Sequence, residues 1–200
     1  MDEVNFLLRN KRRAFIIHGW GGSPHGNDWL PWAKNKLENK GYEVILPLMP
    51  DPIYPKIEIW IPFLSQVVGE VREDDIFIGH SIGCQTILRF LETLPDNKKV
   101  NKVILVAPWG VALSEKAYED EEDKETAKPW LETPINWDKI RSKASEFVAI
   151  FSDNDPVVPL DENRKMVEDN LGAKIIVEQN KGHFSESDGV IKLPIMLEYI

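Results

Sequence analysis

Three short stretches, far apart in the chain, hold the residue types that acyl transfer needs: Gly79-His80-Ser81-Ile82-Gly83, Ser152-Asp153-Asn154-Asp155-Pro156 and Lys181-Gly182-His183-Phe184. An alcohol is a weak nucleophile at neutral pH, so a reacting serine requires a base beside it, usually a histidine oriented by a carboxylate. A Gly-x-Ser-x-Gly match alone carries little weight, because glycine and serine are common. Its surroundings add weight. Asp75-Ile76-Phe77-Ile78 reads as a strand, and Cys84, Ile87, Leu88 and Leu91 recur at i, i+3, i+4 and i+7, the apolar stripe of a helix. A sharp strand-to-helix turn crowds the positions two before and two after its centre. That accounts for Gly79 and Gly83, and leaves Ser81 strained and exposed at the carboxyl edge of a sheet.

The base must come from four histidines. His18 and His80 directly follow strand-like runs, and the strand geometry at His80 turns its side chain away from the serine. His25 lies in the loop after the first such run. His183 follows the last one, Lys174-Ile175-Ile176-Val177-Glu178, and is the candidate base. The orienting acid belongs on the loop after Glu146-Phe147-Val148-Ala149-Ile150-Phe151, which offers Asp153 and Asp155. Pro156 stiffens Asp155 in an extended conformation, so Asp155 is preferred and Asp153 remains the alternative. Two backbone N–H groups should hold the oxyanion: that of Ile82, directly after the serine, and that of Trp20 in His18-Gly19-Trp20-Gly21-Gly22. Trp109 and Trp130 sit in or near loops expected at the same edge. They would line a small apolar acyl pocket, or else anchor those loops by packing.

The elements that position these residues can be read from periodicity. Apolar runs at 14–17, 43–48, 75–79, 102–107, 146–151 and 174–178 are near-continuous rather than alternating, the pattern of parallel strands covered on both faces. Helical segments lie between them. One runs from Trp29 to Lys40 and stops at Gly41, one from Lys56 to Val71 contains Pro62, one is capped by Asp161 and runs to Leu171, and a last one spans Asp188 to Ile200. Strand then helix, repeated about six times, predicts a single domain over 1–200. It is a three-layer α/β/α sandwich on a six-stranded parallel sheet of order 2-1-3-4-5-6, with Ser81 and Trp20 meeting where the order reverses. Residues 109–137, with Tyr118-Glu119-Asp120-Glu121-Glu122-Asp123-Lys124-Glu125 at their centre, read as a solvated acidic loop rather than an ordered lid.

Composition removes several classes of function. The 200 residues are 42% hydrophobic and carry a formal net charge of −9, which would repel phosphate backbones and anionic membranes. Neither nucleic acid nor a membrane is an expected partner. The lone Cys84 can form no internal disulfide and no thiolate metal site by itself, and it suits a reducing compartment. The first thirteen residues place apolar before basic side chains, the reverse of a secretory leader, so the expected location is the cytoplasm.

With these motifs in place, the chain resembles the α/β-hydrolase superfamily. More closely, it resembles the small serine hydrolases typified by retinoblastoma-binding protein 9 and bacterial YdeN-like proteins. Met49-Pro50-Asp51-Pro52 with Trp60, Pro62 and Phe63 is the most family-specific part. The resemblance implies a minimal, largely lidless fold, a metal-free and cofactor-free triad of Ser81, Asp155 and His183, and esterase or peptidase-type activity on a small-molecule acyl substrate. The family's namesake carries, shortly before the nucleophile strand, a Leu-x-Cys-x-Glu segment associated with retinoblastoma-protein binding. The equivalent stretch here, 66–75, has no cysteine, so that partner is not carried over. Rival readings are a non-catalytic interaction protein docking through the acidic segment, or an acyltransferase, aminopeptidase or C–C hydrolase using the same three residues.

Overall fold

The computed structural model describes residues 11–26 and 28–200; the reading of the N-terminus as unlike a leader rests largely on residues 1–10, outside that set. Six strands form one parallel sheet: β1 (Arg13–Ile17), β2 (Glu43–Ile45), β3 (Ile76–His80), β4 (Val100–Val106), β5 (Ala144–Ser152) and β6 (Lys174–Glu178). Their spatial order is β2-β1-β3-β4-β5-β6, as read from the sequence. The helices are α1 (Trp29–Asn39), α2 (Ile57–Val68), α3 (Ile82–Thr93), α4 (Glu121–Glu132), α5 (Trp137–Arg141) and α6 (Leu160–Leu171). Among the described residues no helix is long and apolar enough to cross a membrane.

Strand alternation feeds two cores. Phe15, Phe77, Leu105 and Ala149 point to the face covered by α2, α3 and α6, whereas Ile16, Ile78, Ile104 and Val148 point to the face covered by α1 and the C-terminal residues. The result is the three-layer α/β/α sandwich. Helix α3 is buried nearly all round, with ten of its twelve residues inaccessible. Its polar members therefore need internal partners. The Thr86 hydroxyl donates to the Ile82 carbonyl, and the Arg89 guanidinium donates to the Trp130 and Thr133 carbonyls, capping the end of α4.

Four sequence expectations change. The second strand stops at Ile45 rather than Leu48, because Pro47 has no N–H to give a ladder. The last helix begins at Leu160 with Pro159 at its cap, so Asp161 sits in the first turn instead of capping it. Residues 188–200 form no α-helix. Gly189 takes φ +75°, Leu193 is held out of helical geometry before Pro194, and only a 3₁₀ segment, Pro194–Tyr199, follows. The acidic 109–137 segment is not a loop throughout. Asp120 accepts the Glu122 and Asp123 N–H groups at the start of α4, where Glu121, Glu122 and Asp123 favourably meet the positive helix end.

Candidate active site

Strand β3 ends at His80, and Ser81 follows with φ 52° and ψ −120°, a left-handed conformation that a residue with a side chain adopts at a cost of about 1–3 kcal/mol. The contacts around it show what holds it there. The Ser81 N–H donates to the Val106 carbonyl (2.9 Å) and its own carbonyl accepts from Cys84 (2.9 Å). A Cβ on Gly83 would lie 2.3 Å from the Ile17 carbonyl oxygen, and one on Gly79 2.7 Å from the Cys84 nitrogen. Both glycines are thus demanded by backbone approaching backbone, as the spacing in the sequence suggests.

His183 stands on a loop held amide by amide. Asn180 donates its N–H to Asp153 Oδ1 (2.8 Å), Lys181 to Ser152 Oγ (3.0 Å), Gly182 to Asn154 Oδ1 (2.9 Å) and His183 to Asp188 Oδ2 (2.8 Å). Gly182 has φ +52°, and a Cβ there would meet the Asp188 carboxylate at 2.1 Å. Beneath the loop, Phe184 is fully buried. This clamp delivers His183 Nδ1 to Asp155 Oδ2 at 2.9 Å. The other Asp155 oxygen accepts the Val157 and Val158 N–H groups (2.8 and 2.9 Å), which fixes the carboxylate's orientation. Asp155 meets the imidazole, whereas Asp153 serves the clamp. The sequence reading gives Ser152, Asn154 and Asp188 no part in holding His183.

The remaining two strand-end histidines are buried and neutral. His80 Nε2 donates to the His183 carbonyl (2.8 Å), adding a further tie to that loop. Met49 N–H donates to His18 Nε2 (3.0 Å), which leaves Nδ1 protonated and bonded to the Gly19 carbonyl (2.8 Å). Burial lowers both pKa values, that of His80 to about 3 with the nearby His183 as a second cause. Unfolded His80 takes a proton below pH 6.5 while the folded ring resists to about 3, so its contribution is full above 6.5 and is lost as the pH falls between them. Denaturant unfolding at about pH 7 and about pH 5 should show this decline, at most about 1.4 kcal/mol per pH unit for one group, with a shallower slope in His80→Gln. Equal slopes in the two proteins would count against a buried neutral His80.

Ser81 and His183 line one cavity of about 470 Å³, with Trp20, Trp109, Leu113 and Val157 among its apolar walls. The 109–137 segment supplies part of that wall through Leu113, Lys116, Ala117, Glu119 and Asp123. The Gly21 N–H donates to the Pro52 carbonyl (2.8 Å) and that of Gly22 to Gly19 (3.1 Å). Among the described residues the N–H groups of Trp20 and Ile82 have no acceptor. Gly19 brings the Trp20 loop against the serine, since a Cβ on it would lie 3.4 Å from the Ser81 Cβ. Trp109 is buried, with its indole N–H directed at Ser81 Oγ (3.3 Å). Trp130 is not brought to this cavity. It packs edge-on against Trp60 and donates to the Pro55 carbonyl (2.9 Å), so it anchors the 49–55 loop. Trp20 and Trp60 pin the same loop at Ile53 and Pro50 (both 2.7 Å).

A parallel sheet of order 2-1-3-4-5-6, with a strained serine on the turn after its third strand, is the architecture of an α/β hydrolase. Residues 14–200 match the family model described as serine hydrolase, and the chain belongs to that family. It is 30% identical over 189 residues to the putative hydrolase YdeN of Bacillus subtilis, covering 94% of both chains. It is 31% identical over 185 residues to the serine hydrolase RBBP9 of Rattus norvegicus, covering 90% of this chain and 91% of that one. The crystal structure of the B. subtilis ydeN gene product superposes with a TM-score of 0.84 at 28% identity, over 94% of this chain and 96% of that one.

Proposed function

We propose that the chain acts as one α/β-hydrolase domain cleaving a small carboxylic ester or related acyl substrate through Ser81, His183 and Asp155. The observation that carries this reading is the 2.9 Å bond from His183 Nδ1 to Asp155, made on a clamped loop whose histidine shares one cavity with the strained Ser81. With Nδ1–H given to the carboxylate, Nε2 is free to take the Ser81 proton. Ser81 Oγ attacks the acyl carbon, its proton passes to His183, and the carbonyl π pair moves onto oxygen, where the Ile82 and Trp20 N–H groups receive it. His183 returns the proton to the leaving group. Water then attacks the acyl-enzyme with His183 again as base, releasing the acid and restoring the hydroxyl. A cavity of this volume lined by Trp20, Leu113 and Val157 suits a short acyl chain rather than a polymer.

The test is covalent. A fluorophosphonate probe should label the folded protein once, on the peptide containing Ser81, and a short-chain p-nitrophenyl ester should give a burst of p-nitrophenol before steady turnover. Absence of labelling together with absence of turnover would overturn the reading.

A further inference from the structure

Trp109 is 1% exposed, and its indole N–H donates to the oxygen of Ser81 at 3.3 Å. The other buried indoles with partners among the described residues spend their N–H on backbone carbonyls, Trp60 on Pro50 and Trp130 on Pro55. The fold commits considerable structure to this aim. Just before the ring, Ala107 takes φ +49°, a left-handed conformation in a residue with a side chain, while its N–H is tied to the Ile150 carbonyl (2.8 Å). Just after it, the fully buried Asn163 of α6 holds the chain from both sides. Its Oδ1 accepts from Gly110 (3.1 Å) and Val111 (3.4 Å), and its Nδ2 donates to the Ala112 and Pro159 carbonyls (3.0 and 2.8 Å). Gly110 packs against the Met166 side chain, whose sulfur would have to move aside for a Cβ there. A ring that merely filled space would need no such control of the direction of its N–H.

We propose that Trp109 is a catalytic residue, its indole N–H holding one lone pair of Ser81 Oγ throughout the reaction. The role rests on the assignment of Ser81 as nucleophile. An indole N–H is a donor only and gives up no proton near neutral pH, so its contribution is electrostatic. With one lone pair held by Trp109, the hydroxyl proton can turn to His183 and the second lone pair can meet the acyl carbon. When the acyl-enzyme is hydrolysed, the bond from carbon to Oγ breaks and its electron pair returns to Oγ as His183 gives back the proton. The Trp109 N–H shares the charge on that oxygen at the moment it departs.

Trp109→Phe keeps the ring and removes the donor. The rate of fluorophosphonate labelling and the rate of acyl-enzyme breakdown after a p-nitrophenyl ester burst should both fall about tenfold or more, with KM little changed, as expected for one hydrogen bond to a charging oxygen. Rates within about twofold of the natural protein, or a loss confined to KM, would overturn the proposal and leave Trp109 a pocket wall. Should Trp109→Phe fail to fold, the indole N–H resonance of Trp109 gives the answer. It should shift both in Ser81→Ala and in the phosphonylated protein, and a resonance that moves in neither overturns the contact. A natural protein that the probe never labels overturns the nucleophile assignment, and this role with it.

Discussion

Replacing Ser81 by alanine should lower ester turnover about a millionfold and abolish fluorophosphonate labelling, the scale of loss when a nucleophile acting as one unit with its base is removed. The size follows from what stays behind. The Ile82 and Trp20 N–H groups and the cavity walls would still polarise a bound ester, and such groups alone retain roughly a thousandfold over water. His183, still held by Asp155, would have no alcohol to deprotonate. Folding should change far less, because alanine meets the same backbone strain at φ 52° with the same Cβ, and the bonds of Ser81 N–H to Val106 and of its carbonyl to Cys84 do not involve the hydroxyl. The one orphaned group is the buried Trp109 N–H, which makes a loss of about 1–3 kcal/mol the expected stability effect. Steady-state assays beside denaturant unfolding separate the two quantities. Turnover in Ser81→Ala within about tenfold of the natural protein would require another nucleophile.

The parts of this fold legible in the sequence are those whose burial leaves a periodic trace. β3 and β4 are covered on both faces over most of their length, so 76–78 and 103–107 read as continuous apolar runs, and strand-helix alternation points to a parallel sheet. Helix α4 left almost no such trace. Only Ala127 and Trp130 of its twelve residues are buried, and the signal that is present, an aspartate cap followed by three acids, has the same composition as a solvated charge run. Trp130 shows a related limit. Its sequence position puts it near the cavity's edge, but only the packing of α4 on Trp60 shows that it faces the 49–55 loop instead.

Side chains acting on backbone across long separations were the least visible. Ser152 and Asn154 reach 28–29 residues ahead to the His183 loop, and Asn163 reaches back 51–53 residues to the chain after Trp109. Polar residues of that kind look like ordinary loop and helix-surface residues in a one-dimensional pattern. Asp188, five residues past His183, leaves a local trace, because a glycine before the histidine and an aspartate soon after it are turn residues.

Asp155→Asn should lower kcat about ten-thousandfold with little change in KM, and Asp153→Asn by about tenfold at most. The two carboxylates lie two residues apart on one loop, and the difference is geometric. An asparagine at 155 retains an oxygen for the Val157 and Val158 N–H groups, so it is expected to keep its orientation. It then presents an NH₂ group to His183 Nδ1, which must become the acceptor. The proton moves to Nε2, and the imidazole faces Ser81 with a donor where an acceptor is required. No charge remains to stabilise an imidazolium. At 153 the only contact carried over to the histidine loop is Oδ1 accepting from Asn180, and asparagine offers the same oxygen there. A larger loss at 153 than at 155 would transfer the orienting role to Asp153 and make the 2.9 Å bond from Asp155 to His183 a structural contact. Equal losses would mean that the clamp on residues 180–183, and not the charge beside the imidazole, limits the rate.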